Sequence, residues 1–414
     1  MERKYWFILN ADVFTFYKKS MVLLYQTEKG KHAILKGENC VSILKKIDNY
    51  SNLGVAELKD SDLKDFHVKK MIEVIVKNKM GKIIPITEDA QKPIVLRPLL
   101  SLNEDIDKIK NKDYADYFLG VKFGKYLLNV NIILNEKCNL NCSGCNDYHQ
   151  QFFCCYSKTT SRKEMPSKLL SELIRQLSFY PLRTINICGG NIYDYQNLEL
   201  LEEVAESKKL NVYVNYRNYR KHEIIDKAKL HILINYPFKE EKLLDIIQKT
   251  SNLDSIFHII IEDERQHERF SHFLGAYGIE DFYIHPFFTG GNKLFFEKNV
   301  YISPNDILNS KLSLREIFRN MKMNSNFFGM LYFFPDGKVR ANSNTNILGD
   351  IQNEKIIDII HREMIENTSW RKVRNNEICS KCLYQYLCPP PSNYERVLNT
   401  PNLCKKDKMK IKDY

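Results

Sequence analysis

Residues 128–288 alternate between short apolar runs and stretches of helical periodicity, and this alternation limits the possible folds more than any other feature of the sequence. Six apolar runs have the length and composition of buried strands: Val130–Leu134, Thr184–Cys188, Asn211–Asn215, His231–Asn235, Phe257–Ile261 and Phe282–His285. Helical stretches lie between them: Ser167–Ser178, Leu198–Ser207, His222–Ala228, Glu241–Lys249 and Glu264–Ala276. Such an order predicts right-handed βα units around a parallel sheet. The fold class is therefore α/β, either an open doubly wound sheet or a barrel or part of one.

The segments on either side of this core have different patterns. Residues 1–95 contain short β-prone runs and two helical stretches, which suggest a small winged-helix-like module. Residues 96–127 are rich in Asp and Lys and indicate a linker. Residues 291–414 form a third region, in which the turn Pro335-Asp336-Gly337 predicts a hairpin. We therefore expect three folded parts, with the βα core over residues 128–290.

The chain has 414 residues and a formal net charge of +11, and a positive charge attracts nucleic acid and anionic membranes. Lysine is interleaved with Asp and Glu, so we expect either a solvated lysine-rich surface or basic patches that attract an acidic peptide. No basic recognition helix follows the cysteines, which argues against nucleic-acid binding. The sequence has no run of about 18 uncharged apolar residues and no signal peptide at its start. We expect a cytoplasmic protein without membrane insertion.

Eleven cysteines in a cytoplasmic protein indicate metal chemistry more than disulfides, because the cytosol keeps thiols reduced. The first ligand-like set is Cys138, Cys142 and Cys145, with three and then two residues between the thiols. A loop of this spacing can hold three corners of a cubane iron–sulfur cluster and leave one iron open. The alternatives are a zinc knuckle that lacks one ligand, or free thiols. We interpret Cys154 and Cys155 as ordinary thiols and Cys188 as a core residue.

The second set contains four cysteines with gaps of two, five and fifteen residues: Cys379, Cys382, Cys388 and Cys404. Four thiolates can form a tetrahedral zinc site or fully ligate a [4Fe–4S] cluster. The spacing alone does not choose between these two sites.

The first set resembles the radical S-adenosylmethionine (SAM) superfamily, because Asn139-Leu140 follows the first cysteine and the loop follows the first strand. The resemblance implies a partial (β/α)6 barrel over residues 128–290, a [4Fe–4S] cluster on three cysteines, and SAM on the open iron. It places the segment Gly189-Gly190-Asn191, at the end of the second strand, and Asn215, at the end of the third, among the cofactor-binding residues. Two positions depart from the family pattern. Asn191 replaces a glutamate, and Gly144 replaces an aromatic residue before the third cysteine.

The second set resembles the SPASM extension of radical SAM enzymes that act on peptides, and this implies one auxiliary [4Fe–4S] cluster, with zinc as the alternative. The ligands of a second auxiliary cluster are missing from the sequence. The run Leu387–Glu395, together with Lys4-Tyr5-Trp6, is similar to a SPASM subgroup associated with ribosomal peptides that bear a Gly-Gly leader. Some members of that subgroup are pseudoenzymes that have lost the first cysteine set, which this chain retains.

The resemblance implies a radical SAM enzyme that modifies a ribosomally synthesised peptide through hydrogen abstraction by a 5′-deoxyadenosyl radical. Residues 1–95 would bind the leader of the precursor peptide as an added strand, and a companion maturase or transporter would be a further partner. The alternative is a catalytically degenerate protein that binds the leader and presents it to a separate maturase.

Overall fold

The computed structural model describes residues 2–98, 124–156, 162–206 and 209–405. Most of the linker predicted over residues 96–127 lies outside these ranges. Within them, no helix is both long enough and apolar enough to cross a lipid bilayer.

Residues 2–98 form two small antiparallel sheets and two helices. The strands are β1 (Lys4–Leu9), β2 (Val13–Lys18), β3 (Met21–Gln26), β4 (Lys31–Lys36), β5 (Val55–Lys59) and β6 (Gly81–Pro85), and the helices are α1 (Glu38–Asp48) and α2 (Phe66–Lys77). The strand orders are β5-β1-β6 and β2-β3-β4. Apolar residues of both helices and both sheets share one core, which contains Phe7, Leu24, Leu44 and Met71. The β-prone runs and helical stretches are confirmed, and the winged-helix resemblance stays a prediction.

The middle of the chain contains the six predicted parallel strands. They are β7 (Asn129–Ile133), β8 (Thr184–Cys188), β9 (Leu210–Asn215), β10 (Lys229–Asn235), β11 (Ser255–Ile261) and β12 (Phe282–Pro286). The helices are α3 (Cys145–Gln151), α4 (Ser167–Leu177), α5 (Glu202–Glu206), α6 (Glu223–Asp226), α7 (Glu240–Thr250) and α8 (Glu264–Ala276). Each strand pairs in parallel with the next one in the sequence. The expected α/β alternation is confirmed.

The C-terminal part adds three strands and five helices to the described structure. They are α9 (Lys293–Asn299), α10 (Pro304–Asn309), α11 (Leu314–Lys322), β13 (Met330–Phe333), β14 (Lys338–Arg340), β15 (Gly349–Asp350), α12 (Ile356–Glu366) and α13 (Asn393–Val397). The predicted hairpin is the antiparallel pair β13 and β14. Strand β13 also pairs in parallel with β7. The result is one nine-stranded sheet in the order β12-β11-β10-β9-β8-β7-β13-β14-β15.

The two faces of this sheet differ in chemistry because successive side chains of a strand point to opposite sides. One face, which we call the outer face, is covered by helices. Its residues, such as Val130, Ile232 and Ile259, pack with the apolar sides of α4, α7, α8 and α12 in the largest core among the described residues. Each fully buried side chain of this kind contributes about 1.5–3 kcal/mol to folding. The opposite face, which we call the inner face, is polar and aromatic. It carries the functional candidates described below.

A separate apolar cluster joins the β2-β3-β4 sheet to the C-terminal part. Leu23 and Tyr25 of β3 pack there with Ile317 of α11 and with Leu383 and Leu387 beside the second cysteine set. The Tyr25 hydroxyl donates to the Ser310 carbonyl over 2.9 Å. The N-terminal part is therefore fixed to the region that holds the second cysteine set.

Candidate functional site

The first cysteine loop lies at the carboxyl end of the parallel sheet. Cys138 and Cys142 stand on the loop after β7, and Cys145 begins α3. All three thiols belong to residues of intermediate exposure, so the loop is neither buried in the core nor fully in solvent. The loop comes after the first of the parallel strands, as the sequence predicts. In βα folds this edge of the sheet carries the binding sites.

Nitrogen donors face the thiols of this loop. Arg217 Nη2 lies 2.8 Å from Cys142 Sγ, and Asn215 Nδ2 approaches the same sulfur at 3.9 Å. Asn218 Nδ2 lies 3.7 Å from Cys138 Sγ. Burial raises the pKa of the Cys142 thiol, while the Arg217 charge and hydrogen bond act in the opposite direction. A thiolate is the form that both a cationic donor and a metal favour, so these surroundings fit a metal-bound sulfur.

The predicted Gly-Gly-Asn segment packs directly against the cysteine loop. A Cβ at Gly190 would lie 2.1 Å from the Lys137 carbonyl oxygen and 3.0 Å from Cys138 Cβ, so only glycine permits this approach. The Asn191 amide donates to the Lys137 carbonyl over 2.5 Å. Gly189 is also close, because a Cβ there would lie 3.1 Å from the Asn135 backbone. The structure thus brings all three residues of the segment to the first cysteine set.

Asn191 presents a buried acceptor beside this loop. Its Oδ1 is inaccessible to solvent, and no donor in the described part of the chain reaches it. Buried side-chain oxygens are usually hydrogen-bonded, and an orphaned one loses the free energy of its hydration. A hydrogen-bond donor brought by a ligand would satisfy this atom.

Asn215 belongs to a polar network at the ends of β9 and β10. Its Nδ2 donates to Asn235 Oδ1 over 3.0 Å, and its Oδ1 accepts from the Arg217 backbone amide at 3.0 Å. Arg217 Nη2 also approaches Asn235 Oδ1 at 3.3 Å, whereas Arg217 Nε is buried and has no acceptor among the described residues. The network holds the guanidinium against Cys142 and leaves one of its donors without an acceptor among the described residues.

An aromatic ring fills the space beside Gly144. The φ angle of Gly144 is 70°, and a Cβ there would lie 2.5 Å from the Phe287 ring. Phe287 follows β12 and meets Tyr148 of α3 edge to face, with ring centroids 4.6 Å apart. The space beside Gly144 is thus filled by an aromatic ring from the segment after β12.

The segment after α3 covers the inner face of the sheet. The Phe152 ring lies 5.0 Å from His285, and the Phe153 ring meets Tyr213 edge to face at 4.5 Å. Cys154 and Cys155 are buried, and burial raises the pKa of both thiols, that of Cys154 to about 12. At neutral pH they are protonated, which agrees with their interpretation as ordinary thiols.

Three histidines form a ladder across the inner face of β10, β11 and β12. His231 Nδ1 and His258 Nε2 are 2.7 Å apart, and His258 Nδ1 and His285 Nε2 are 2.8 Å apart. Burial lowers the pKa of all three rings, and for His258 the neighbouring histidines lower it further. The ladder is therefore neutral at pH 7. His258 uses one ring nitrogen as donor and the other as acceptor, whereas His231 Nε2 is buried and has no partner among the described residues.

The second cysteine set surrounds a small cavity of about 140 Å³, which the four thiols line together with Arg374, Ile302 and Leu403. Burial raises the pKa of Cys388 to about 12, and Arg374 acts against this increase. Among the described residues, no three Cys, His, Asp or Glu side chains converge tightly enough to hold a single metal ion. Four thiols around one cavity are the donor set of either a tetrahedral zinc site or a [4Fe–4S] cluster.

Sequence reasoning missed several residues that complete these sites. Arg217 and Asn218 follow β9, and Asn235 is the last residue of β10. Functional residues of βα folds lie at these strand ends, and this position could have indicated them. Phe287 and Arg374 gave no local signal, because each reaches its site through a tertiary contact.

No protein-family model matches the chain, and no curated protein sequence matches it. A comparison with solved structures finds the crystal structure of Streptococcus suis SuiB bound to S-adenosylmethionine, with a TM-score of 0.43 and 13% sequence identity. The alignment covers 97% of this chain and 99% of that chain.

Proposed function

We propose that this chain is a radical SAM enzyme that modifies a ribosomally synthesised peptide. The observation that carries the proposal is the first cysteine loop. Three thiols with the three-then-two spacing stand at the carboxyl end of the parallel sheet, Arg217 and Asn218 direct nitrogen donors to two of them, and the Gly-Gly-Asn segment packs against the loop. Each of these features serves a thiolate-bound cofactor.

The residues of the site have separate roles in this proposal. The three cysteines would hold three irons of a [4Fe–4S] cluster and leave the fourth for SAM. Asn191 Oδ1 would accept a hydrogen bond from the ammonium of SAM, and the Arg217 guanidinium would favour the thiolate form of Cys142 that binds iron. When bound, the cluster and SAM supply one-electron cleavage of the sulfonium and hydrogen abstraction by the resulting 5′-deoxyadenosyl radical. Phe152 and Phe153, which pack on His285 and Tyr213, would keep water from the inner face of the sheet.

The second cysteine set would hold one auxiliary [4Fe–4S] cluster, as in the SPASM extension. Its cavity is apolar apart from the thiols, Arg374 and a few amide side chains, and it lies next to the sheet of the N-terminal part. Such surroundings protect a cluster from solvent and set its potential.

The N-terminal part would bind the leader of the precursor peptide, in the manner of a winged-helix-like recognition module. Strand β6 lies at an edge of its sheet and pairs only with β1 among the described strands. Residues Ile83 and Ile84 are partly exposed. An exposed edge offers main-chain donors and acceptors to an extended peptide.

A second candidate function is supported by the segment that follows α3. Phe152–Tyr156 packs on the inner face of the sheet, where a substrate of a barrel enzyme would bind. If this segment stays in place, the chain is a cluster-bearing protein that binds a leader peptide and presents it to a separate maturase.

Anaerobic reconstitution with iron and sulfide tests the first proposal. We expect about eight irons per chain, four for each cluster, and release of 5′-deoxyadenosine when the protein is reduced with dithionite in the presence of SAM. Replacement of Cys138, Cys142 and Cys145 together by Ala should remove about half the iron and abolish the product. The Cys40→Ala variant, which alters a buried thiol in the N-terminal core, is the control and should lose neither.

Two other outcomes would change the conclusion. A wild-type protein that binds iron at both sites but releases no 5′-deoxyadenosine would favour the peptide-presenting function. Full iron retention by the triple variant would overturn the assignment of the first cysteine set.

A further inference from the structure

A single cation lies among the residues that line the cavity of the second cysteine set. Arg374 borders this cavity together with all four cysteines, and only 4% of its side chain is exposed. Arginine is almost never buried unless its charge is compensated. The hydrogen-bond partners of its guanidinium therefore indicate which kind of group the cavity binds.

The Arg374 side chain is held in one orientation. Its Nη2 donates to Glu395 Oε1 over 2.7 Å, and its Nε donates to the Pro389 carbonyl. Glu395 is itself fixed, because its Oε2 accepts from the amide and the hydroxyl of Ser392 at 2.9 Å and 2.6 Å. The Gln385 side chain donates to the Arg374 carbonyl over 2.6 Å, which holds the backbone. The guanidinium cannot turn away from the cavity without breaking these bonds.

The remaining nitrogen, Arg374 Nη1, is buried and has no acceptor among the residues that the structure describes. Each guanidinium hydrogen is a strong donor, and an unpaired one in an apolar cavity is unfavourable. Thiolates and the sulfides of an iron–sulfur cluster are acceptors that carry negative charge. The Cys388 and Cys379 side chains border the same cavity as Arg374 and would supply such acceptors when they bind a cluster.

We propose that Arg374 is a positioning residue that donates a hydrogen bond to the auxiliary cluster and raises its reduction potential. This inference rests on the proposed cluster at the second cysteine set. Four thiolates outweigh the positive charge of the iron–sulfide core, and uptake of one electron from an external donor makes the site more negative without forming or breaking a bond. A fixed cation next to the sulfurs stabilises the reduced state more than the oxidised state. Glu395 opposes this effect from the far side of the guanidinium.

Redox titration of the auxiliary cluster alone tests the proposal. The full-length chain with Cys138, Cys142 and Cys145 replaced by Ala retains only the second set, and its visible absorption and electron paramagnetic resonance are followed during stepwise reduction with dithionite. Arg374→Gln should lower the potential, with at least a tenfold change in the equilibrium constant for reduction, about 59 mV for one electron. Glu395→Gln should raise it, because it removes the opposing negative charge. If the two variants merely loosened the fold around the cluster, both reduction potentials would shift in the same direction, so shifts of opposite sign indicate an effect of charge.

The control is Lys381→Gln, which removes a charge between two ligands of the same set. Lys381 is 72% exposed, so solvent screens its charge and the potential should change by much less than in Arg374→Gln. If Arg374→Gln does not retain iron, Glu395→Gln decides the question. An unchanged potential in Glu395→Gln and, where it holds iron, in Arg374→Gln would overturn the inference and leave the cluster assignment intact. Zinc, or no metal, in the second set would instead overturn the auxiliary cluster and this inference with it.

Discussion

At the level of single residues, Asn191 carries an amide where the resemblance leads one to expect a carboxylate. Its buried Oδ1 has no donor in the described structure. A carboxylate there would add the attraction of opposite charges to the hydrogen bond with an ammonium, and about 1.4 kcal/mol of added attraction corresponds to a factor of ten in affinity. Asn191→Glu should therefore tighten SAM binding about tenfold, measured by calorimetric titration of the reconstituted protein.

The matched control for this substitution is Asn191→Gln, which has the length of glutamate without its charge. It should bind SAM no more tightly than the wild type, and the iron content of both variants should remain that of the wild type. Equal affinities of the Glu and Gln variants would show that charge at this position does not contribute. Absence of SAM binding in all three proteins would support the peptide-presenting function.

Gly144 shows what a sequence pattern can and cannot reveal about a site. The sequence identified the missing aromatic residue at this position, and the glycine is needed there because its φ angle is positive. It could not reveal that Phe287 fills the same space, because the contact depends on how β12 and α3 are placed in the folded chain. The same reason hides the pairing of Arg374 with Glu395.

At the level of strands and helices, the periodicity of apolar residues predicted the parallel strands and the hairpin correctly. The six parallel strands and the hairpin were predicted because buried strands and turns leave local patterns of apolar, β-branched and Gly-containing residues. The parallel pairing of β13 with β7 was not predicted. Which two strands pair, when they are far apart in the sequence, depends on tertiary packing and leaves no local sequence pattern.

The histidine ladder of β10, β11 and β12 makes a pH dependence of stability predictable. Burial lowers the folded-state pKa of His231, His258 and His285 below the unfolded value of about 6.5. Below pH 6.5 the unfolded chain binds protons that the folded ladder does not bind. The ladder's contribution to stability is therefore complete above about pH 6.5 and is lost as the pH falls towards the folded pKa values, which for His285 is about 4.

Each histidine of the ladder contributes a slope of up to about 1.4 kcal/mol per pH unit within this window. His258→Gln should reduce the slope of the unfolding free energy between about pH 6.5 and pH 4.5 by about that amount, measured by urea denaturation at several pH values. The control is His272→Gln, because His272 lies exposed on α8. The unfolding free energy of this variant should depend on pH with the same slope as that of the wild type. If the unfolding free energies of the wild type and His258→Gln depend on pH with equal slopes, folding does not lower the pKa of His258.

At the scale of the whole molecule, the attachment of the N-terminal part decides how its function can be tested. Its β2-β3-β4 sheet shares an apolar cluster with α10, α11 and the second cysteine set, and the Phe16 ring meets Tyr386 at 4.7 Å. Deletion of residues 1–95 would expose this cluster beside Cys382 and Cys388. A loss of peptide binding in such a truncation could then result from damage to the C-terminal part, so a single substitution is the better test.

Strand β6 allows that test because its outward-facing donors can be identified. The Ile86 amide donates to the Lys4 carbonyl over 2.9 Å, and alternate amides of an antiparallel strand point the same way. The amides of Ile84 and Lys82 therefore also face β1, and that of Ile83 points outward. Gly81 and Pro85 stand at the other outward positions, at the two ends of the strand, and Pro85 has no amide hydrogen. Ile83 thus supplies the central outward donor of β6.

Ile83→Pro should weaken binding of an added peptide strand, because it removes this donor without removing a hydrogen bond to β1. One lost main-chain hydrogen bond of about 0.5–1.5 kcal/mol corresponds to a several-fold to tenfold loss of affinity. Binding is measured by fluorescence anisotropy with labelled synthetic peptides that carry a Gly-Gly leader. Ile83→Ala is the matched control, since it shortens the same side chain and keeps the amide hydrogen. If the Pro and Ala variants bind the peptide equally well, the leader does not add to β6, and another edge of the N-terminal part or the inner face of the large sheet must hold it.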